Sequence, residues 1–344
     1  MKTRQAHFLP VLFALSSFFG GPCNVLIFAR AEADTPAALG SSEQVAAQVS
    51  QSASQSSSNG NGDQNTFRVN VKLVNMYTTV TDSHGAPVAN LGKDDFKIYE
   101  DGVEQAVSVF DKESELPLSI VVAVDTSEST HRSLPLEVAS AKKFAHSIMR
   151  PVDRLSLFQF AEEIDQLVGF TADLKAVDGA INRVHPGAGT SLYDAIYLCS
   201  DTLLDRHGRK VLVLITDGGD TTSRTDYSNA LRRAQEAEAT IYSIIVVPVA
   251  EESGRDTGGE HALIQLSRDT GGKHYYAENS EKLDDAFRQI SDELRTQYLI
   301  AYYPNRRVAA SAFRRVEIKV NRSDSESKPF HVRHRAGYYT SAAR

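Results

Sequence analysis

The chain has 344 residues, which leaves room for more than one domain and for an ample hydrophobic core. Its formal net charge of −7 argues against a general nucleic-acid binder. The two basic clusters, at residues 206–210 and 333–335, are short, and we interpret both as solvated surface. No nucleic-acid partner is therefore expected.

Residues 1–33 have the pattern of an export signal. Two basic residues precede an apolar stretch from Phe8 to Phe19, and Ala29–Ala31 and Ala31–Ala33 are candidate cleavage sites. We expect cleavage, and hence an exported protein in the periplasm, at the cell surface or outside the cell, without membrane insertion afterwards. An uncleaved anchor from Phe8 to Phe28 is the alternative, which the Gly and Pro residues in its middle disfavour.

Residues 34–66 are rich in Ser, Gln, Ala, Asn and Gly and have almost no large apolar side chains, so we predict a disordered linker. Order is expected from Phe67, where apolar and polar residues begin to alternate. Short strands with no helix between them are predicted at Phe67–Leu73, Met76–Thr81, Phe96–Glu100 and Val107–Phe110. Residues 67–113 thus form a small antiparallel sheet, near the lower size limit for independent folding.

The middle of the chain alternates between strand and helix patterns. The predicted strands are Leu118–Val124, Arg154–Phe160, an edge piece near Gln166–Phe170, Val211–Ile215, Ile241–Val249 and Lys273–Ala277. The predicted helices are Leu134–Met149, Leu174–Val184, one from the Thr190 loop to Asp205, Tyr227–Ala239, one near His261–Thr270, and Lys282–Thr296. This alternation predicts an α/β domain at 117–297 with a doubly wound, mostly parallel sheet.

After Gln297 the pattern returns to strands, at Tyr298–Tyr303, around Val316–Val320 and at Phe330–Tyr339. Neither this segment, 298–340, nor the segment 67–113 has enough apolar residues to bury a core alone. We therefore predict that both segments pair into one small all-β sandwich and that the α/β domain is inserted between them.

Three polar motifs follow buried strands or tight loops in the α/β region. Asp125, Ser127 and Ser129 form a D-x-S-x-S motif directly after the strand that ends at Val124. Thr190 lies in the loop Gly-Ala-Gly-Thr-Ser, and Asp217 follows the strand that ends at Ile215. Singly, such residues are more often helix caps or turn residues. Jointly, they offer hard oxygen ligands to a small cation at the sheet edge where ligands bind in open α/β folds.

With these motifs the chain resembles the von Willebrand factor A domain family over roughly Pro117 to Gln297. By position, five residues match the metal-ion-dependent adhesion site of that family: Asp125, Ser127, Ser129, Thr190 and Asp217. The resemblance implies a bound Mg²⁺, with Mn²⁺ or Ca²⁺ as alternatives, and the oxygen-only ligands independently favour a hard cation over zinc. A D-F-x-I-x-E-D-G run at 95–102 is also similar to bacterial exported relatives of that family.

The ligand set indicates how such a site recognises a partner. Two carboxylates and three neutral hydroxyls only just neutralise a divalent cation and leave its shell incomplete, so the cation would take water or, better, a carboxylate of a partner protein. The resemblance implies the latter, because an acidic partner residue completes the coordination in many members of that family. Arg224 is a candidate for a charge-assisted contact to that partner. Glu252 and Arg255 are further candidates, in a long polar loop from Ala250 to Glu260 that we expect on the same face; a tolerated surface insertion is the alternative.

The predicted function is therefore an exported, divalent-metal-dependent module for protein binding or adhesion, and not an enzyme. One alternative is a structural component of the cell envelope or of a complex, in which the metal only rigidifies the loops. A Mg²⁺-dependent phosphotransferase or hydrolase is a minor alternative. A phosphotransferase of the haloacid-dehalogenase type needs D-x-D after a buried strand, and Ser127 occupies the second of those positions.

Overall fold

The structure is a computed structural model that describes residues 73–112, 116–247, 257–305, 312–322 and 330–340. The predicted export signal, the predicted linker and nearly all of the predicted strand Phe67–Leu73 lie outside the described residues. In the part of the chain that is described, no helix has the length and apolarity needed to span a membrane.

Fourteen strands and six α-helices occur within the described residues. The strands are β1 (Val74–Thr81), β2 (Phe96–Glu100), β3 (Val103–Gln105), β4 (Val107–Lys112), β5 (Leu118–Asp125), β6 (Arg154–Phe160), β7 (Ile164–Thr171), β8 (Arg209–Thr216), β9 (Ala239–Val246), β10 (His274–Ala277), β11 (Tyr298–Tyr302), β12 (Phe313–Val320), β13 (His331–Arg333) and β14 (Gly337–Tyr339). The helices are α1 (Leu134–Ile148), α2 (Leu174–Ile181), α3 (Leu192–Leu204), α4 (Tyr227–Glu236), α5 (Thr257–Asp269) and α6 (Ser280–Thr296).

The central sheet has six strands in the order β10-β9-β8-β5-β6-β7. Its pairs are parallel except for the edge strand β7, which runs antiparallel to β6. Every residue of β5 is buried, as its apolar run, interrupted only by Ser119 before the final Asp125, predicts for a strand covered on both faces. One apolar cluster packs α1, α2 and α6 on one face, and a second packs α3, α4 and α5 on the other. The predicted α/β fold class with a doubly wound sheet is confirmed.

Two four-stranded sheets flank this unit, in the orders β13-β1-β11-β4 and β14-β12-β2-β3. Each sheet combines strands from before and after the α/β region, because β1 pairs with β11 and β2 pairs with β12. Their facing side chains form one apolar cluster that includes Met76, Ile98, Ile300 and Ile318. The predicted sandwich of the two terminal segments is therefore present, whereas the residue limits that we assign to the domains remain predictions.

A buried polar network joins the sandwich to the α/β unit. Glu293 on α6 is 6% exposed and accepts hydrogen bonds from Tyr242 on β9 (2.8 Å) and from Thr79 on β1 (3.2 Å). Arg333 on β13 donates to the same carboxylate. The Glu293 carboxylate is buried while Arg333 is partly exposed, and a slip of either element would leave the buried charge without its partner.

The interpretation of both basic clusters as solvated surface is wrong for one arginine in each cluster. Arg209 is 3% exposed, and its guanidinium donates to the Leu294 carbonyl and to Gln297. Arg335 is 8% exposed and donates to the Asn75 carbonyl at 2.8 Å. These cations are buried because carbonyl and amide oxygens from distant parts of the chain satisfy them.

Several predicted boundaries also require correction. Helix α4 ends at Glu236, since Glu238 adopts a positive φ of 58° that a helix cannot continue through, and Ala239 already begins β9. The predicted strand Phe330–Tyr339 is two strands in different sheets, β13 and β14. At Gly337 a Cβ would lie 2.0 Å from the Arg314 carbonyl oxygen, so only glycine allows the close pairing where β14 begins.

Candidate metal centre

The first motif begins where β5 ends. Asp125 is fully buried, and its two carboxylate oxygens are already held by hydrogen bonds. Oδ1 accepts from the Ser127 amide at 2.9 Å, and Oδ2 accepts from the Thr216 hydroxyl at 2.6 Å. Because β5 and β8 are neighbouring parallel strands, their last residues lie side by side, and the carboxylate is positioned by both strand ends.

The two serines of the motif converge. Ser127 Oγ and Ser129 Oγ are 3.1 Å apart, within hydrogen-bond distance of each other. Ser127 is buried whereas Ser129 is exposed, so the pair extends from the interior to the surface. A short 3-10 turn, Glu128–Thr130, follows, and the Thr130 hydroxyl donates back to the carbonyls of Asp125 and Ser127, both at 3.0 Å. This turn keeps both serine hydroxyls on the side of Asp125.

The second motif is bonded to the loops on either side of it. The Gly187 amide donates to the Thr126 carbonyl at 2.7 Å, next to the first motif. The carbonyl of Thr190 accepts from the amides of Thr221 (2.8 Å) and Thr222 (3.0 Å), in the third loop. Thr190 itself is 5% exposed. Backbone hydrogen bonds thus connect all three loops at one edge of the sheet.

The third motif follows β8. Asp217 is half-buried and accepts from the Gly219 amide at 3.2 Å. Gly218 has φ of 97°, and a Cβ there would lie 3.0 Å from the Glu260 nitrogen, so the first turn of α5 packs closely against this loop. The negative charge of Asp217 helps to raise the pKa of Asp125, which places the two carboxylates within electrostatic range of each other.

A second aspartate in the third loop has a structural role that the sequence reasoning missed. Asp220 Oδ1 accepts from the Leu192 amide at 2.9 Å and from the Ser223 hydroxyl at 2.5 Å. It therefore caps α3, whose own N-cap residue, Ser191, makes no side-chain capping bond. Local spacing could not reveal this cap, because its acceptor lies 28 residues further along the chain.

The electrostatics of this edge favour a cation. Burial raises the pKa of Asp125 to about 6, although hydrogen bonds from Thr216 and Ser127 oppose the shift. Burial also raises the pKa of Glu137, on the first turn of α1, to about 8, and Asp125 and Asp217 add to that shift. The sequence reasoning missed Glu137 entirely. A divalent cation among these carboxyl groups would favour their charged forms.

The donor chemistry fits a hard divalent cation. The predicted ligands are carboxylate and hydroxyl oxygens, and the buried carboxyl of Glu137 has no hydrogen-bond partner among the described residues. Over those same ranges, no three His, Cys, Asp or Glu side chains are grouped closely enough to hold a metal together. Any cation held here would thus depend on the hydroxyls of Ser127, Ser129 and Thr190 as well as on the carboxylates.

Of the three predicted partner-binding residues, the structure describes one. Arg224 is exposed, and its backbone is held at this edge because its amide donates to Asp194 on α3 at 3.0 Å. Glu252 and Arg255 lie outside the described residues. The predicted loop that contains them is shorter than expected, because Thr257–Glu260 already belong to α5 and Glu260 is 8% exposed.

The sequence model of the von Willebrand factor type A domain matches residues 120–220, the stretch that contains all three motifs. This match supports a von Willebrand factor type A domain in that part of the chain. A comparison with curated proteins found no match.

Similar solved structures include the PilB minor pilin from Streptococcus sanguinis, with 14% identity and a TM-score of 0.42. The likeness covers 53% of this chain and 62% of the pilin, which is less than two thirds of the pilin's length. The conserved hypothetical protein BatB from Bacteroides thetaiotaomicron has 18% identity and a TM-score of 0.41, over 52% of this chain and 97% of BatB. A von Willebrand factor type A protein from Catenulispora acidiphila has 13% identity and a TM-score of 0.46, over 77% of this chain and 74% of that protein. At these values the likenesses carry no argument about function.

Proposed function

We propose that this protein is an exported module for protein binding whose metal centre takes a carboxylate from its partner. The observation that carries the proposal is the joining of three motif loops, by backbone and side-chain hydrogen bonds, at the carboxyl edge of β5 and β8. The match of residues 120–220 to the von Willebrand factor type A domain supports it independently.

The proposed metal ligands are Asp125, Ser127, Ser129, Thr190 and Asp217. The cation, Mg²⁺ or else Mn²⁺ or Ca²⁺, supplies a Lewis-acidic point for a partner carboxylate when it is bound. The chain's own part is to hold these oxygens in place: Thr216 and the Ser127 amide hold the Asp125 carboxylate, and the Thr130 hydroxyl holds the turn that carries the serines. No covalent step is needed for this recognition.

Arg224 is proposed to contact the same partner. Asp194 Oδ2 accepts from the Arg224 amide at 3.0 Å, and Oδ1 accepts from the Thr225 amide at 2.7 Å, so this stretch is held beside α3 while the Arg224 side chain stays exposed. A guanidinium at the rim of the centre would attract an acidic partner and add a charge-assisted hydrogen bond. Residues 250–256 are proposed to contribute to the choice of partner.

The competing proposal, a structural component in which the metal only stiffens the loops, has its own support. The three loops are already connected through hydrogen bonds that involve no cation, such as Gly187 to Thr126 and Thr221 to Thr190. A protein that binds Mg²⁺ tightly but retains no partner with or without chelator would favour this role over binding.

The first test is metal binding by Asp125→Asn, measured by titration calorimetry with Mg²⁺ and Mn²⁺. We expect wild type to bind and the variant to lose binding, because the amide keeps the shape of the carboxylate but not its charge. Asp153→Asn is the matched control: Asp153 is also fully buried, but it binds the Leu118 amide at the opposite end of β5. Equal affinity of Asp125→Asn and wild type would rule out the assignment.

The second test concerns the partner. Affinity capture from an extract of the source cells, with Mg²⁺ or with chelator, should recover a protein only when Mg²⁺ is present. Thr190→Ala should weaken that capture while the domain stays folded. Thr202→Ala, which removes a hydroxyl that bonds only within α3, should capture as wild type does. Capture that is insensitive to chelator would contradict a metal-dependent interface.

Export is the remaining part of the proposal. Cell fractionation, followed by mass measurement of the mature N-terminus, should place the protein outside the cytoplasm with a start after Ala31 or Ala33. A full-length protein that is retained in the cytoplasm would overturn it.

A further inference from the structure

Glu137 is a buried carboxyl group without a basic partner among the described residues. Its residue exposure is 0%, and neither carboxylate oxygen has a hydrogen-bond partner among the described residues. Two other buried glutamates of the described residues are paired with arginines, Glu293 with Arg333 and Glu100 with Arg314. A buried carboxyl without such a partner is costly, so its presence calls for a group that completes its environment.

The chain path connects Glu137 to the candidate metal centre through one turn. It lies on the first turn of α1, and its amide donates to the Ser133 carbonyl at 3.0 Å. The Ser133 hydroxyl in turn donates to the Thr130 carbonyl at 2.9 Å, and the Thr130 hydroxyl donates to the Asp125 carbonyl at 3.0 Å. The beginning of α1 is thus bonded, through one turn, to the end of β5.

The charges that act on Glu137 come from the same place. Burial raises its pKa most, the nearby Ser133 side chain opposes the shift, and Asp125 on β5 and Asp217 after β8 both add to the rise. Within the described residues, the groups that act on its pKa include no cationic side chain. The carboxyl groups of Glu137, Asp125 and Asp217 therefore interact with one another without a basic group among those causes.

We propose that Glu137 is an outer carboxylate of the metal centre, which faces the bound cation from behind Asp125 and Asp217. This inference rests on the proposed function, because it needs a cation at the five predicted ligands. Glu137 acts at a distance, since no three acidic side chains in the described ranges are close enough to coordinate one ion. It is a positioning residue: a bound cation favours the ionised form of its carboxyl, and that ionised form strengthens cation binding and favours cations of higher charge.

The experiment compares wild type, Glu137→Gln and Glu293→Gln by Mg²⁺ titration calorimetry and by Tb³⁺ luminescence. Glu137→Gln should weaken Mg²⁺ binding by about tenfold or more, as removal of an outer-shell group of a metal centre commonly does. The loss for trivalent Tb³⁺ should be larger than for Mg²⁺, because one negative charge attracts the higher charge more strongly. Glu293→Gln, which removes a buried charge from the network between the sandwich and the α/β unit, should leave both affinities unchanged.

A second measurement follows the wild-type protein, and a variant serves only to assign one signal. In wild type labelled with ¹³C at the glutamate carboxyl, the Glu137 signal, assigned by its loss in Glu137→Asp, should shift on addition of Mg²⁺. The Glu293 signal should not. If wild type fails to bind Mg²⁺ at all, the proposed function itself is overturned. If wild type binds Mg²⁺ and Asp125→Asn does not, the proposed function stands. In that case this inference alone is wrong if Glu137→Gln binds Mg²⁺ as wild type does, or if the Glu137 signal does not shift.

Discussion

Thr216, the last residue of β8, donates a hydrogen bond of 2.6 Å to the carboxylate of Asp125, the last residue of β5. Both residues are fully buried, and the bond crosses between neighbouring parallel strands where the first and third motifs begin. The same Thr216 oxygen accepts from the Gly218 amide at 3.0 Å, which orients the loop that carries Asp217. One hydroxyl therefore positions two of the predicted ligand loops.

Thr216→Val is expected to weaken Mg²⁺ binding several-fold without preventing folding. Valine keeps the shape of threonine, but Asp125 loses a hydrogen bond that opposes the rise in its pKa, and the carboxylate becomes both less ionised and less constrained. Calorimetric titration near pH 7 measures the change. Thr202→Val, a matched change on α3, should bind as wild type does; an unchanged affinity for Thr216→Val would show that the bond does not matter for the site.

The stability of the metal-free protein should depend on pH through Glu137. Its pKa is raised from 4.5 to about 8 in the folded protein, so between these values the folded state holds a proton that the unfolded state has released. The contribution of Glu137 to the free energy of unfolding is therefore highest below about pH 4.5 and falls as the pH rises toward 8.

Thermal unfolding in chelator tests that dependence. Between pH 5 and pH 8, the melting temperature of wild type should fall relative to that of Glu137→Gln, because glutamine has no proton to lose. Excess Mg²⁺ should reduce the difference in slope, because the cation favours the ionised carboxyl in the folded state. Parallel curves for the two proteins in chelator would contradict the assignment of the shift to Glu137.

Gly187→Ala should destabilise the protein by about 1–3 kcal/mol, the usual cost of overpacking a closely packed site. A Cβ at Gly187 would lie 2.5 Å from the Cβ of Ala161, and relief of that clash would strain the hydrogen bond to Thr126. Gly179→Ala is the control, since a Cβ there meets nothing within 4 Å and alanine favours the helix. Denaturant unfolding should show the two variants shifted in opposite directions.

Removal of residues 298–344 should unfold the N-terminal part of the sandwich. β1 would lose its partners β11 and β13, and β2 would lose β12, so most of the shared apolar core would be exposed. Limited proteolysis followed by mass spectrometry should show rapid cleavage within 74–112 in the shortened chain and protection in the full chain. Equal protection in both would mean that the two terminal segments do not fold as one unit.

The sequence by itself determined the order of the elements and the position of the predicted ligands. The buried run of β5, the helical spacing of α1 and the strand-only ends are local patterns with periods of two or 3.6 residues, so they can be recognised without a structure. Asp125 and Asp217 could be placed at one edge for the same reason, because parallel strands end at a common side of the sheet.

Only the tertiary structure decided the features that depend on contacts between distant residues. The burial of Arg209, the capping of α3 by Asp220 and the division of the last strand between two sheets each require a partner far along the chain. Glu137 belongs to the same group: on α1 it looks like an ordinary surface glutamate, and only packing of the helix against the strand ends buries it near two other carboxylates. The physical reason is that hydrophobic periodicity indicates which face of a helix or strand is buried, whereas charge pairing depends on which other helix or strand packs against that face.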